Sequence, residues 1–277
     1  MQETSSCVLK PKGLDIGQVL EEIPLRDLKI PEEARYRVPT MNRHGYMFTK
    51  FDPVTNRWLE SIRKNRDQVL FEVGGAYGNV ATAALEKGVK KYYLNDFEEK
   101  HLKIFARQLK QNKKEHLFSS VELIVGRCPD EVMLKDNCLD AILANKVLLF
   151  FTPDNIDFFV AWMRNGLKIG GCVYIFTINP FYKGHEEILT GYEKRKKDGV
   201  RFPGWCYSCE KMDVSKVYNP QVRPETILYM EMSTLKELFQ RHGFQIVEEF
   251  ELAIINEENT EWRSGKDMAG IIAKKLA

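Results

Sequence analysis

The chain has almost no net charge and contains no long apolar run. Lysine and arginine total 41 and aspartate and glutamate total 39 among 277 residues, so the formal net charge is +2. This balance provides no basic field that would attract nucleic acid or an anionic membrane surface. Nowhere do about 18 apolar residues follow one another, as a membrane-spanning helix requires. We therefore expect no membrane association, and a nucleic-acid partner is disfavoured.

Cysteine is sparse and scattered. The six cysteines are Cys7, Cys128, Cys138, Cys172, Cys206 and Cys209. This spacing does not suggest a disulfide framework and is typical of a reducing compartment. The first residues, MQETSSCVLKPKG, lack the basic and then apolar layout of a secretion signal. These absences predict a soluble, cytoplasmic protein.

The sequence is also poor in metal-ligand patterns. Cys206 and Cys209 form one C-x-x-C pair, with His185 upstream. A closed zinc site needs four ligands, and no second pair of histidines or cysteines accompanies this one. We predict ordinary reduced cysteines and no metal.

Short apolar runs alternate with helix-length amphipathic stretches from about residue 68 onward. The predicted strands are 69–73, 91–95, 121–125, 139–144, 172–178, 244–252 and 268–274. Such alternation predicts an α/β fold with a mainly parallel sheet that is covered on both faces. We divide the chain into an amino-terminal extension, 1–66, and a main domain, 67–277.

Several helix boundaries follow from capping patterns. Thr152-Pro153 combines a capping residue with a proline and predicts a helix start. Thr234 and Glu237 have the spacing of a capping box, and Gly243 would end that helix. Further helices are predicted over 56–63, 79–87 and 98–115.

One segment interrupts the alternation, at about 179–227. It contains four prolines, a basic run at 194–197 and the aromatic residues Phe202, Trp205 and Tyr207. A connection of this length in a compact domain is either functional or disordered, and the aromatic residues argue against disorder. We interpret it as an inserted lid or substrate-binding segment, and we interpret its basic run as a solvated face, with recognition of an anionic substrate as the alternative.

Three glycines cluster directly after the first predicted strand, in Phe71-Glu-Val-Gly-Gly-Ala-Tyr-Gly-Asn79. Glycines at a strand-to-helix turn allow a tight bend and close approach of a ligand to the main chain. A dinucleotide fingerprint from Gly74 would need glycine at Ala76 and Asn79 as well. A P-loop would need Gly-Lys-Ser/Thr at 79–81, where the chain has Asn-Val-Ala. Both phosphate-binding interpretations are therefore weakened.

The remaining pattern is acid-x-Gly-x-x-x-Gly, from Glu72 to Gly78. It resembles the first motif of the class I S-adenosylmethionine-dependent methyltransferases, although that family usually has glycine where this chain has Ala76. Asp96 ends the next predicted strand, where an acidic side chain can accept hydrogen bonds from both ribose hydroxyls. The turn Leu-Lys-Ile-Gly-Gly at 167–171 resembles the one before the family's fifth strand. The resemblance covers about 68–178 and 230–277.

This resemblance implies a three-layer, Rossmann-like fold with a seven-stranded, mostly parallel sheet and an antiparallel last strand. An amino-terminal helical cap and an insertion after the fifth strand would be added to it. The implied activity is in-line transfer of the methyl group of S-adenosylmethionine to an oxygen or nitrogen acceptor on a small molecule or a protein.

The resemblance also implies the residues of a cofactor site. They are Glu72, Gly74, Gly75, Gly78, Asp96, Phe97, Arg127, Cys128, Asn145 and Lys146. The glycines would line the methionine and ribose, Glu72 would lie near the amino group, and Asp96 would hold the ribose. Phe97 and the segment at 127–128 would contact the adenine, and Asn145 and Lys146 would face the methyl group. Tyr46 lies in an aromatic and cationic stretch that suits a flap over the cofactor.

An acceptor that loses a proton during methyl transfer needs a general base. The candidates are His185, Glu186 and His44. Asn179-Pro180-Phe181-Tyr182 faintly resembles the Asn/Asp-Pro-Pro-Tyr motif of amino-methylating nucleic-acid enzymes, but it follows the fifth strand and is interpreted as coincidence. Two other functions remain open. One is a noncatalytic S-adenosylmethionine-binding scaffold, and the other is a nicotinamide-dependent oxidoreductase, which Ala76 and Asn79 disfavour.

Overall fold

The computed structural model describes residues 6–9, 12–22, 36–182, 186–207, 226–253 and 263–277. The strands are β1 (Val8–Leu9), β2 (Lys12–Leu14), β3 (Arg37–Pro39), β4 (Tyr46–Phe48), β5 (Val69–Val73), β6 (Lys91–Asp96), β7 (Val121–Val125), β8 (Met133–Leu134), β9 (Leu139–Asn145), β10 (Leu167–Ile178), β11 (Trp205–Tyr207), β12 (Thr226–Leu228), β13 (Phe244–Ala253), β14 (Arg263–Ser264) and β15 (Met268–Lys275). The helices are α1 (Ile16–Glu22), α2 (Pro53–Lys64), α3 (Asn79–Glu86), α4 (Glu99–Gln111), α5 (Ile156–Gly166), α6 (Glu186–Lys197) and α7 (Met232–Arg241).

One large sheet organises these elements. Its strand order is β14-β13-β15-β10-β9-β5-β6-β7-β2. The five central strands β10, β9, β5, β6 and β7 run parallel, while β15 is antiparallel to both β10 and β13. All seven strands predicted from the sequence are confirmed, including the antiparallel last one. The described sheet has nine strands, because β2 and β14 extend its two edges.

The sheet is covered on both faces, as its continuous apolar strands predict. One buried cluster includes Trp58 and Tyr92, together with side chains of α2, α3 and α4. The opposite cluster includes Phe71 and Phe159, together with side chains of α5 and α7. The result is the three-layer arrangement that the resemblance implied.

The amino-terminal region is more than a helical cap. Its described residues form two helices but also four short strands, of which β2 pairs with β7 in the main sheet and β1 pairs with β8. Helix α2 begins with Asp52, whose Oδ1 accepts a hydrogen bond from the Thr55 amide at 2.9 Å, and Pro53 occupies its first turn. The domain division at residue 66 stays a prediction.

Two predicted helix starts are wrong by two or three residues. Helix α5 begins at Ile156 instead of Pro153, because the Asn155 side chain accepts a hydrogen bond from the Thr152 amide in a turn ahead of the helix. Helix α7 begins at Met232 and includes Thr234, so the predicted capping box lies inside the helix.

The insertion after β10 contains α6 and the β11–β12 pair in its described part. Its basic run makes specific contacts. Arg195 Nε donates to the Pro203 carbonyl oxygen at 2.6 Å, and Lys196 forms an ion pair with Glu231 at 2.6 Å. At least two of its four cations therefore stabilise the fold.

Glu72 is buried inside the sheet, beneath the turn that follows β5. Its Oε2 accepts a hydrogen bond from the Tyr92 hydroxyl at 2.7 Å. Burial, together with the nearby Asp96 charge, raises the pKa of Glu72 to about 8, and the Tyr92 hydrogen bond only partly opposes this. The acid therefore holds its proton in the folded chain at neutral pH.

This proton predicts a pH dependence of stability. The contribution of Glu72 to the free energy of unfolding should be highest below about pH 4.5 and should fall as the pH rises to about 8. Between these values only the unfolded chain releases the proton. The loss should be roughly 3–5 kcal/mol. Denaturant unfolding of the wild type and Glu72→Gln between pH 5 and pH 9 measures it. The variant should lack this slope, and parallel curves would contradict the assignment.

Gly78 is the N-cap residue of α3, and its surroundings predict that a larger side chain at this position destabilises the fold. Its φ is +72°, and an added Cβ would lie 2.1 Å from Phe105 Cδ2 in the core. Gly199 is a matched control, because its φ is +74° and an added Cβ would meet nothing within 4 Å. Gly199→Ala should cost about 1 kcal/mol, whereas Gly78→Ala should cost about 3 kcal/mol or more of unfolding free energy. Equal costs in denaturant unfolding would show that Phe105 moves aside freely.

Candidate active site

A cleft of about 480 Å³ lies at the carboxyl ends of the parallel strands. From β5 the chain builds β6 and β7 on one side of the sheet and then β9 and β10 on the other side. The strand order thus reverses beside β5, and open α/β sheets bind ligands at such a point. The volume is within the usual range of small-molecule sites, about 300–1,000 Å³.

The turn after β5 forms the floor of this cleft. Gly74 lines it with φ +65°, and Ala76 lines it with φ +47°, the left-handed conformation for which the family usually uses glycine. Gly75 and Gly78 face the protein instead, where added Cβ atoms would lie 2.2 Å from Leu94 and 2.1 Å from Phe105. Close packing against Leu94 and Phe105 therefore explains why two of the three predicted residues are glycine.

Asp96 ends β6 inside the cleft, and its carboxylate is buried. Its Oδ2 accepts a hydrogen bond from the Ala76 amide at 2.9 Å, and Oδ1 accepts one from the Glu98 amide at 2.9 Å. His101 Nδ1 lies 3.2 Å from the same Oδ1. These contacts fix the carboxylate against the glycine turn, while the side chain still forms part of the cleft wall.

An aromatic and cationic rim follows β6 and β7. The Arg127 guanidinium lies 5.1 Å from the centre of the Phe97 ring, and the His44 ring meets Phe97 edge-on at 5.5 Å. Cys128 lines the cleft beside them and donates from Sγ to Asn95 Oδ1 at 3.3 Å. Burial raises the pKa of the Cys128 thiol. The structure therefore brings these predicted residues to one end of the cleft.

Asn145 and Lys146 lie at the end of β9 and belong to a buried polar network. Asn145 Nδ2 donates to Asp52 Oδ2 and to Thr55 Oγ1, both at 2.7 Å. Lys146 Nζ donates to Asn145 Oδ1 at 2.9 Å and lies 3.4 Å from Asp52 Oδ2. Burial lowers the pKa of Lys146, and the Asp52 charge opposes that shift.

The β3–β4 hairpin lies along one side of the cleft, and the role of Tyr46 as part of a flap over the cofactor stays a prediction. Tyr46 and Phe48 line the cleft, and Lys146 Nζ lies 4.2 Å from the centre of the Phe48 ring. Asn79 Nδ2 donates to the Phe48 carbonyl oxygen at 2.9 Å, and the Tyr77 hydroxyl donates to the Pro39 carbonyl oxygen at 3.0 Å. These bonds attach the hairpin to the first turns after the glycine segment.

Not every predicted residue lies in the cleft wall. The Glu72 carboxyl contacts Tyr92 in the core, so its predicted role beside the amino group stays a prediction. His44 lies on the exposed rim. His185 lies outside the described residues, and of Glu186 only the backbone, at the start of α6, is described.

The sequence reasoning missed some residues of the cleft. Tyr182 is buried in its wall, and burial raises the pKa of Tyr182 to about 12. Arg37 lines the cleft from β3, and Asp52 supports Lys146 from below. The Asn-Pro-Phe-Tyr run did contain Tyr182, but no local spacing pointed to Arg37 or Asp52.

The described part of the chain has neither a metal-binding cluster nor a membrane-spanning helix. Within it, no three histidine, cysteine or acidic side chains form a cluster that could hold a metal ion. Cys206 lies in β11, whereas Cys209 lies outside the described residues. No described helix has the length and apolar character needed to cross a bilayer. The cytoplasmic location stays a prediction.

Comparison with known proteins agrees with this geometry. Residues 71–175 match the family model described as "Methyltransferase domain". No curated protein sequence matches the chain significantly.

Solved structures share the architecture at low identity. An S-adenosylmethionine-dependent methyltransferase from Methanosarcina mazei has 15% identity and a TM-score of 0.57, over 82% of this chain and 99% of that chain. The 1,6-didemethyltoxoflavin N1-methyltransferase of Burkholderia thailandensis, solved with its substrate and S-adenosylhomocysteine, has 14% identity and a TM-score of 0.54, over 81% and 79%. The [4+2]-cyclase SpnF has 12% identity and a TM-score of 0.51, over 80% and 81%. At such identities the likeness establishes the fold alone.

The matched family model covers the glycine turn, Asp96 and the turn at 167–171, on which the resemblance rests, and also the implied site residues Asn145 and Lys146. Residues 71–175 therefore match a methyltransferase domain, and the described fold is the one that these solved methyltransferase structures share.

Proposed function

We propose that the cleft binds S-adenosylmethionine between the glycine turn and the rim, and that it methylates an oxygen or nitrogen atom of a small molecule. The main support for this proposal is the position of Asp96. Its buried carboxylate lies beside the glycine turn, at the point where the strand order reverses. When bound, S-adenosylmethionine supplies an electrophilic methyl group on a sulfonium that leaves as a neutral thioether.

The residues present fit this cofactor. A carboxylate at the end of the second parallel strand suits the two ribose hydroxyls, because charge-assisted hydrogen bonds to a fixed acceptor are strong. Phe97 and Arg127 form a flat surface for the adenine, and Gly74 leaves main chain accessible for the methionine part. Tyr46 would close over it from the hairpin.

The other end of the cleft supports a small acceptor. Its lining combines aromatic and apolar side chains from separate segments, among them Phe48, Ile178, Tyr182 and Met268. The hairpin and the segment after β10 both contribute to this wall, so the cleft is bounded on the side where the acceptor would lie. In-line transfer depends on alignment and on exclusion of water, and such walls provide both.

Lys146 is the described group best placed to act on the acceptor. Its ammonium is held by Asn145 and Asp52 at the end of β9, where the resemblance places the methyl group. Because burial lowers the pKa of Lys146, loss of its proton is easier than for a solvated lysine. His185, Glu186 and His44 remain the bases predicted from the sequence, and His44 lies at the opposite end, beside Phe97.

Asp96→Asn tests the cofactor assignment. The variant keeps the side-chain shape but removes the charge, so affinity for S-adenosylmethionine should fall about 10- to 100-fold in calorimetry. Asp130→Asn is the matched control, because this exposed acid also lines the cleft and should change affinity little. Unfolding curves of both variants establish that the fold is retained. Equal affinity in wild type and Asp96→Asn would remove the ribose assignment.

The acceptor class has its own test. A cell extract is separated by ultrafiltration, and each fraction is incubated with S-adenosylmethionine and the protein. S-adenosylhomocysteine should form with the low-molecular-weight filtrate and not with the retained macromolecules, because the hairpin and the segment after β10 bound the cleft on the acceptor side. Formation with the retained fraction alone would contradict a small acceptor. Binding without turnover in either fraction would favour the noncatalytic scaffold instead.

A further inference from the structure

Two cysteines that the methyl-transfer site does not use lie together near the opposite end of β9. Cys7 directly precedes β1, and Cys138 directly precedes β9, so 131 positions separate them in the chain. Strand β1 pairs with β8, and the Lys135 amide donates to the Cys7 carbonyl oxygen at 2.8 Å. This pairing brings the two cysteines to neighbouring positions.

The Cys138 side chain lies against Cys7. Cys138 Sγ is 3.8 Å from the Cys7 carbonyl oxygen and 3.1 Å from that of Lys135. The Cys7 amide donates to the Tyr93 hydroxyl at 2.8 Å, which fixes its backbone to β6. Both cysteines are free thiols.

The surroundings shift the pKa values of the two thiols in opposite directions. The hydrogen bond from Cys138 lowers the pKa of Cys7, with burial opposing and with Lys168 and Lys135 assisting. The same contact raises the pKa of Cys138, because its proton is shared with its neighbour. A thiolate next to a second thiol is the arrangement found in redox-sensing pairs.

We infer that Cys7 and Cys138 form a peroxide-sensitive pair whose oxidation joins the amino-terminal strand to the start of β9 by a reversible disulfide. The observation is independent of the methyltransferase assignment, because both sulfurs lie outside the residues that line the cleft. Hydrogen peroxide is small enough to reach Cys7, which is 7% exposed, and Cys138 is half-buried beside it.

The chemistry balances without any further reactant. The Cys7 thiolate attacks one peroxide oxygen, the O–O bond breaks, and hydroxide leaves, so that Cys7 becomes a sulfenic acid. The Cys138 sulfur then attacks the Cys7 sulfur, the S–O bond breaks, and the thiol proton leaves with the hydroxyl as water. In total, two thiols and one hydrogen peroxide give one disulfide and two waters. A thiol reductant reverses the oxidation.

Oxidation should stabilise the fold, because the cross-link closes a loop of more than a hundred residues in the unfolded chain. The melting temperature of the oxidised protein should rise by about 5–10 °C and return after reduction. Methyl transfer should proceed in both forms.

The experiment uses the full chain with Cys206→Ser, which removes the C-x-x-C pair as a competing source of a disulfide. After peroxide treatment, intact mass spectrometry should show the loss of two hydrogen atoms, and digestion should yield one peptide pair joined through Cys7 and Cys138. In the same background, Cys138→Ser should leave a sulfenic acid on Cys7 that dimedone traps. Cys172→Ser is the matched control, because this half-buried cysteine should not alter the product.

Two results would overturn the inference. One is addition of oxygen atoms without the loss of two hydrogens, which would show that the two sulfurs are oxidised separately. The other is a cross-link through any other cysteine. Because mass spectrometry reports the product directly, both results are readable even if a variant melts at a lower temperature, and neither depends on binding of S-adenosylmethionine.

Discussion

The position of one buried carboxylate organises the end of the cleft beside the glycine turn. Asp96 accepts hydrogen bonds from the Ala76 and Glu98 amides and lies beside His101, so it joins the glycine turn, the end of β6 and the start of α4. A buried carboxylate is costly unless such donors surround it. The bond to the Ala76 amide also helps hold that residue at φ +47°, a conformation that costs an alanine about 1–2 kcal/mol. The departure from the usual glycine is therefore compatible with the same turn.

A second polar network connects the amino-terminal region to the end of β9. Asp52 caps α2 through the Thr55 amide and, through its other oxygen, accepts from Asn145. One side chain thus starts a helix and orients the residues that follow β9. The hairpin is attached separately, through the Phe48 carbonyl oxygen and Asn79. The amino-terminal residues are consequently part of the cleft, although the sequence suggested only a cap in front of the main domain.

The strands and cleft residues that could be predicted from the sequence were those whose pattern lies within a short stretch of the chain. The central strands were found because burial on both faces gives each a mainly apolar run, as in Val-Leu-Phe-Glu-Val of β5. Strands β2 and β14 have three and two residues, which is too short for any periodicity to show. Asp96 was identifiable from its spacing to Glu72. Arg37, Asp52 and Tyr182 reach the cleft from segments far apart in the chain, so only the tertiary structure brings them together.

Lys146 places a largely enclosed ammonium group in the cleft wall, with its side chain 13% exposed. Transferring an ammonium group into a protein interior costs several kcal/mol unless its partners are well placed, and an apolar side chain of similar size often stabilises a fold more. Lys146 donates to Asn145 Oδ1 at 2.9 Å, lies 3.4 Å from Asp52 Oδ2 and rests against the Phe48 and Phe176 rings, while burial lowers its pKa. These partners fix the position of a cation in the cleft wall. An enzyme that aligns an acceptor, or takes a proton from it, would use a cation in this position.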